Sequence, residues 1–183
     1  MKSVTERVYL TDFILACLAY CLFVGSDSIV KYLGSDYSIV QIIFVNSWFA
    51  LIPIVLYTQT LNGWRKLKKA NFTVHFFRAL TMALALFFGY TGFYRLPMVT
   101  MYSIVFLIPL MITIGSVFFL GEVVRWKRFT AILIGFIGAI ISINPFGTEY
   151  DNYIFLALFC PIFASASYLI VRKYGFKENL FSF

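Results

Sequence analysis

The sequence predicts an all-α, polytopic membrane protein, a bundle of transmembrane helices. Three observations predict it: long apolar runs, a shortage of charge, and basic residues gathered in the gaps between the runs. The chain has 183 residues, 61% hydrophobic and 13% charged, with a mean hydropathy of +0.87. A soluble domain is about 45–50% apolar and about 25% charged. One aqueous core cannot bury this much apolar side chain, and so few charges cannot coat its surface. An ordinary cytosolic enzyme, a disordered chain and a disulfide-stapled secreted domain are excluded. The net charge of +7 suggests nucleic acid in a soluble protein. Here the clustering between apolar runs assigns it to membrane topology, with the lipid bilayer as partner and no nucleic acid.

A membrane helix needs about 20 mostly apolar residues to cross about 30 Å of hydrocarbon. Six runs qualify, over residues 11–33, 38–57, 74–94, 100–120, 129–143 and 153–171. The fifth is the shortest, bracketed by Arg128 and Asn144. Open strands are excluded because lipid satisfies no backbone polar group, and the alternation of a membrane barrel is absent. Lys2 and Arg7 precede the first run, which is too long for a cleavable signal and has no small-residue cleavage site after it.

The basic residues set the expected orientation. All of them except Lys31 and Arg95 fall on one side of a six-span topology, in groups that include Arg65, Lys66, Lys68 and Lys69 and then Arg172, Lys173 and Lys177. The other side carries Asp36, Glu149 and Asp151. Positive-inside logic then places the N-terminus in the cytoplasm.

An internal repeat is expected at an offset of 141 residues, which lays residues 142–183 on residues 1–42. Leu15 meets Leu156, Ala16 meets Ala157 and Ser26 meets Ser167, while Ile29, Val30, Lys31 and Gly34 meet Ile170, Val171, Arg172 and Gly175. The offset contains five spans, an odd number, so the second copy must cross the membrane in the opposite sense. Inverted repeats of this type characterise secondary transporters. The expected division is residues 1–144 as a first five-helix repeat and 145–183 as the start of a second, with a sixth helix and the beginning of a seventh. The expectation at this stage is a truncated chain, or a half-transporter that pairs as a homodimer if it is naturally this short.

The most specific motifs lie between residues 78 and 143. A basic residue enters span three, followed by Gly89, Tyr90, Tyr94, Leu96 and Pro97, then a fourth span with Pro109 at its middle. Leu120, Gly121 and Glu122, a basic loop, and Gly135–Phe136–Ile137–Gly138 complete the pattern. This order resembles the EamA domain of the drug/metabolite transporter superfamily, whose members typically carry two five-helix copies. Residues 26–34, which read SDSIVKYLG, are similar to the branch that includes S-adenosylmethionine uptake transporters. The family pattern often has an acidic residue early in span two and an arginine about five residues on; here Gln41 and Asn46 stand there. The resemblance implies a secondary transporter of small organic metabolites, gradient-driven or exchanging, in the bacterial inner membrane.

Candidate lining residues follow from helical spacing. Tyr102, Phe106, Pro109, Thr113 and Ser116 form one stripe on span four, and Ala83, Phe87, Tyr90 and Tyr94 another on span three. Hydroxyls avoid lipid where protein is available, and aromatic faces suit a flat or cationic solute, although packing and interfacial anchoring use the same residues. Asp27 is the acidic residue well inside a span, which marks it as a substrate or proton partner. An i,i+4 ion pair with Lys31 is the alternative. The repeat register places Ser165 and Tyr168 on the equivalent face of span six. Asn46 completes the lining set. Pro109 is expected to kink its helix, as a hinge or a static bend. Glu122, beside Arg125 and Arg128, is expected in an ion pair at the cytoplasmic end. Cys17, Cys21 and Cys160 read as small apolar residues inside spans. No catalytic set, metal-ligand spacing or cofactor site is expected, and the chain reads as no enzyme.

Overall fold

The computed structural model describes residues 2–60, 71–123, 125–143 and 152–175. The basic group Arg65, Lys66, Lys68 and Lys69, Asn144, Glu149, Asp151, and Lys177 with the expected seventh span lie outside the described residues, as do the side chains of Lys2, Arg7 and Arg128. Every regular element among the described residues is helical: α1 (Lys2–Leu33), α2 (Ile39–Thr60), α3 (Phe72–Arg95), α4 (Met98–Val105), α5 (Ile108–Leu120), α6 (Trp126–Ile143), α7 (Tyr153–Ala157) and α8 (Phe159–Tyr174). The segments Thr11–Leu33, Ile39–Tyr57, Phe72–Arg95, Met98–Leu120 and Tyr153–Tyr174 are long and apolar enough to cross a membrane. The apolar part of α6, Phe129–Ile141, is shorter. Yet the 18 residues of the whole helix rise about 27 Å, close to the hydrocarbon thickness. The chain is a multi-pass membrane protein.

Local sequence explains where the helices stop. At the start of α2, Ser38 and Gln41 cap each other: the Ser38 amide donates to Gln41 Oε1 (3.1 Å) and the Gln41 amide to Ser38 Oγ (3.3 Å). This is a capping box, with glutamine at the third helical position. Pro97 disfavours helical backbone at Leu96, which is extended and ends α3. Gly121 ends α5 with φ 68°, a left-handed conformation that costs glycine nothing, and its amide turns back to the Val117 carbonyl.

Span four is interrupted by one tightened turn, in which Phe106 and Leu107 keep right-handed backbone. Proline has no amide hydrogen, and its ring clashes with the carbonyl four residues back, here that of Val105. The helix stops there, Phe106 and Leu107 form a turn in which the Leu107 amide reaches Ile104 (3.0 Å), and Pro109 sits in the first turn of α5. The first turn has no use for the missing amide.

Helix directions follow from the contacts. Lys31, near the end of α1, touches Phe93 and Leu96 at the end of α3, so α1 and α3 run the same way. Cys160 at the start of α8 lies beside Gly89, whereas Ser167 further along reaches Arg78, so α8 runs against α3. The first and sixth spans therefore point in opposite directions. The core gathers at the Lys31 end, where Phe93, Leu96, Met101, Ile104, Ala157 and Cys160 meet. Gly92 makes this possible: a Cβ there would lie 2.5 Å from Met101 Sδ. At the other end Arg172 of α8 pairs with Glu122, just beyond α5, at 2.8 Å. Glu122 thus pairs with Arg172, distant in sequence, where spacing suggested the nearby Arg125 and Arg128.

Candidate functional site

A cavity of about 600 Å³ lies between α1, α3 and α8, closed on its sides by Asn46 of α2 and by Val105 and Ile108 at the break in span four. Its wall is mostly apolar, formed by Phe23, Leu22, Met82, Leu86 and Phe93 among others. Four helices bring polar groups to it at similar depth. Asp27 stands six residues before the end of α1, Asn46 seven after the start of α2, Tyr90 five before the end of α3 and Tyr102 four after the start of α4. At about 1.5 Å per residue each lies roughly 6–11 Å from its helix end.

These groups are paired. The Tyr102 hydroxyl donates to Asp27 Oδ2 at 3.0 Å, and Asn46 Nδ2 donates to the Tyr90 hydroxyl at 2.8 Å. The carboxylate has two oxygens with about four acceptor sites, so one tyrosine leaves it able to receive a further donor or cation. Lys31 is not its partner. The Lys31 ammonium instead donates to the carbonyls of Leu96 (2.7 Å) and Phe93 (3.3 Å), where α3 has run out of its own donors. The i,i+4 pair expected from spacing is replaced by a tie between α1 and α3.

The other residues singled out in the sequence are divided. Tyr168 lines the cavity with Cys160 and Ala164, a stripe of period four on α8. Ser165 faces away, its hydroxyl returned to the Ile162 carbonyl (2.8 Å), and lines a separate recess between α5 and α8. Tyr94 packs on Gly34 and lies under the Arg95 guanidinium, which also covers the Tyr153 ring, at 4.8 and 4.9 Å. Phe106 is 71% exposed, and with Pro109 it lines a crevice toward α6. Thr113 bonds the Pro109 carbonyl within its own helix (2.8 Å). Gly135 and Gly138 of the family-like motif face open space along the same crevice.

Sequence reasoning missed several wall residues. On α3 the lining face is Met82, Leu86, Gly89 and Phe93 beside Tyr90, a stripe rotated from Ala83, Phe87 and Tyr94. Ser26, next to Asp27, was passed over as well. The stripe Cys160–Ala164–Tyr168 has regular helical spacing and could have been found from it.

A family model, the EamA-like transporter family, matches residues 11–144. Among curated proteins the chain is similar to the S-adenosylmethionine uptake transporter of Rickettsia conorii, at 30% identity over 96% of this chain and 60% of that protein. It is also similar to the riboflavin transporter of Vibrio cholerae, at 25% identity over 84% of this chain and 52% of that one. The pseudopaline exporter of Pseudomonas aeruginosa is 21% identical over 92% of this chain and 59% of its own length. The chain thus spans 60% or less of the length of these relatives. No solved structure matches it. With the family model covering most of the chain, this protein belongs to the EamA-like transporter family.

Proposed function

We propose that the chain works as a secondary carrier of small organic metabolites, driven by a gradient or by exchange and loaded alternately from the two sides of the membrane. The observation that carries this reading is Asp27 in an apolar cavity between helices, held by Tyr102 and open to another partner. A carboxylate inside a membrane span is costly to keep, and such groups face solute pathways. Aromatic faces from Phe23, Tyr90 and Phe93 stand around it. A carboxylate among aromatic rings favours a flat organic cation over a neutral or anionic solute. The Rickettsia relatives' name puts S-adenosylmethionine first, since it joins a sulfonium cation to a purine ring.

The opposite directions of α1 and α8 support alternating access between inverted units. Asp27, Asn46, Tyr90 and Tyr168 form the binding wall, with Tyr102 holding Asp27. Pro109 and the break at Phe106–Leu107 supply the hinge. The N-terminus faces the cytoplasm and the membrane is the bacterial inner membrane, in keeping with the basic residues of one side.

Transport into liposomes tests the proposal. Reconstituted protein should take up labelled S-adenosylmethionine with saturable kinetics, inhibited by excess unlabelled cation. A panel including that cation, riboflavin and amino acids with no saturable flux contradicts it.

A further inference from the structure

A second recess, about 740 Å³, lies between α1 and α2. It shares Leu22, Ser26, Asn46 and Tyr90 with the Asp27 cavity. The hydrogen bond from Asn46 to Tyr90 therefore stands in the wall common to both spaces. The two differ in chemistry. The first holds the carboxylate, whereas the second is lined by Val45, Ile42, Phe49 and Ile29, with Tyr37 and Gln41 toward the α1–α2 turn. Gly25 opens its α1 wall, because a Cβ there would meet no atom within 4 Å. Small-molecule sites occupy about 300–1,000 Å³, so each space is sized for a substantial part of a metabolite.

We propose that the α1–α2 recess is a second subsite, which takes the flat ring of a substrate whose cationic group is held at Asp27, with the Asn46–Tyr90 pair as the divider between them. This rests on the carrier reading above and specifies its substrate class: an organic cation joined through a flexible linker to a planar, weakly polar ring. Three features favour a ring over a lipid tail. The recess is continuous with the carboxylate cavity through shared residues, its common wall carries a donor and a hydroxyl, and Tyr37 offers its phenol to ring nitrogens, beside the Gln41 Nε2 that the Ser38 cap leaves over. A saturated acyl chain uses none of these.

The test compares two sulfonium cations on the intact protein in proteoliposomes: S-adenosylmethionine, which has the ring, and S-methylmethionine, which lacks it. Gly25→Leu fills the recess from α1, where there is room, and Val45→Trp fills it from α2. Both variants should lose about tenfold or more in affinity for S-adenosylmethionine, and their affinity for S-methylmethionine should fall less than about twofold; tenfold corresponds to about 1.4 kcal/mol. Asp27→Asn should weaken both cations. If Gly25→Leu, in well-folded protein, leaves the two affinities in their original ratio, the subsite is overturned; a lipid tail in the recess gives that result. Loss of the Asp27 effect on both cations overturns the carrier reading at this site, and the subsite with it.

Discussion

Tyr102 of α4 donates a hydrogen bond to Asp27 of α1 across 75 residues of sequence, at 3.0 Å. The bond holds one oxygen of a carboxylate that lines the cavity. Hydrogen bonds to charged groups contribute about 1.5–3 kcal/mol. Tyr102→Phe should therefore lower affinity for a cationic substrate by about three- to tenfold through a poorly oriented carboxylate, with a smaller loss than Asp27→Asn. Titration of labelled substrate into each variant checks the order.

Lys31 and Asp27 are one helical turn apart, yet their side chains have separate partners. A double-mutant cycle on thermal stability in detergent should give little coupling between Asp27 and Lys31, below about 0.5 kcal/mol, and more between Asp27 and Tyr102. Lys31→Met should cost about 1–3 kcal/mol, because two carbonyls at the end of α3 lose their donor. Strong Asp27–Lys31 coupling would restore the ion pair that spacing alone suggests.

Pro109 separates α4 from α5. Pro109→Ala supplies an amide that can reach the Val105 carbonyl and removes the ring clash. The amide of Ile108, which a continuous helix would bond to the Ile104 carbonyl, should then exchange more slowly with deuterated solvent. Transport should slow by about tenfold if the break is the hinge, with substrate affinity little changed. An unaltered rate with slowed exchange would make the break a static feature.

The interface of α5 with α8 is held by close packing. A Cβ on Gly115 would overlap the Leu169 side chain, so Gly115→Val should destabilise the protein by about 1–3 kcal/mol. The Arg172–Glu122 pair is 44% and 36% exposed, and Glu122→Gln should change stability by less than about 1 kcal/mol. Melting curves of both variants in one detergent make the comparison.

Much of the fold was legible in the sequence, because membrane helices announce themselves through length and apolar content. Asp27 stood out by the same logic, as an expensive group where lipid is cheap. Tyr90 and Tyr102 were found from helical periodicity and Tyr168 from the repeat register; Tyr90 and Tyr168 line the cavity and Tyr102 bonds to Asp27 in its wall. Phe106 and Thr113 were placed on the Tyr102 stripe by spacing alone. The side of span four that meets the cavity is Val105 and Ile108, a neighbouring face of the helix, and Thr113 returns its hydroxyl to the Pro109 carbonyl. Ser165 came from the repeat register, which fixes neighbours along the chain better than the rotation of a helix about its axis. Gln41 was weighed against a family position, whereas its side chain is taken by the Ser38 cap. Periodicity assigns faces; it does not reveal which side chain is already engaged by the backbone.

The central claim is that Asp27 holds a cationic solute inside the membrane. Equilibrium binding of labelled S-adenosylmethionine to the purified protein, wild type against Asp27→Asn at matched folding, tests it most directly. Saturable binding by the wild type and a loss of about tenfold or more in the variant is the predicted result. Equal binding by the two, or no saturable binding by the wild type, would contradict it.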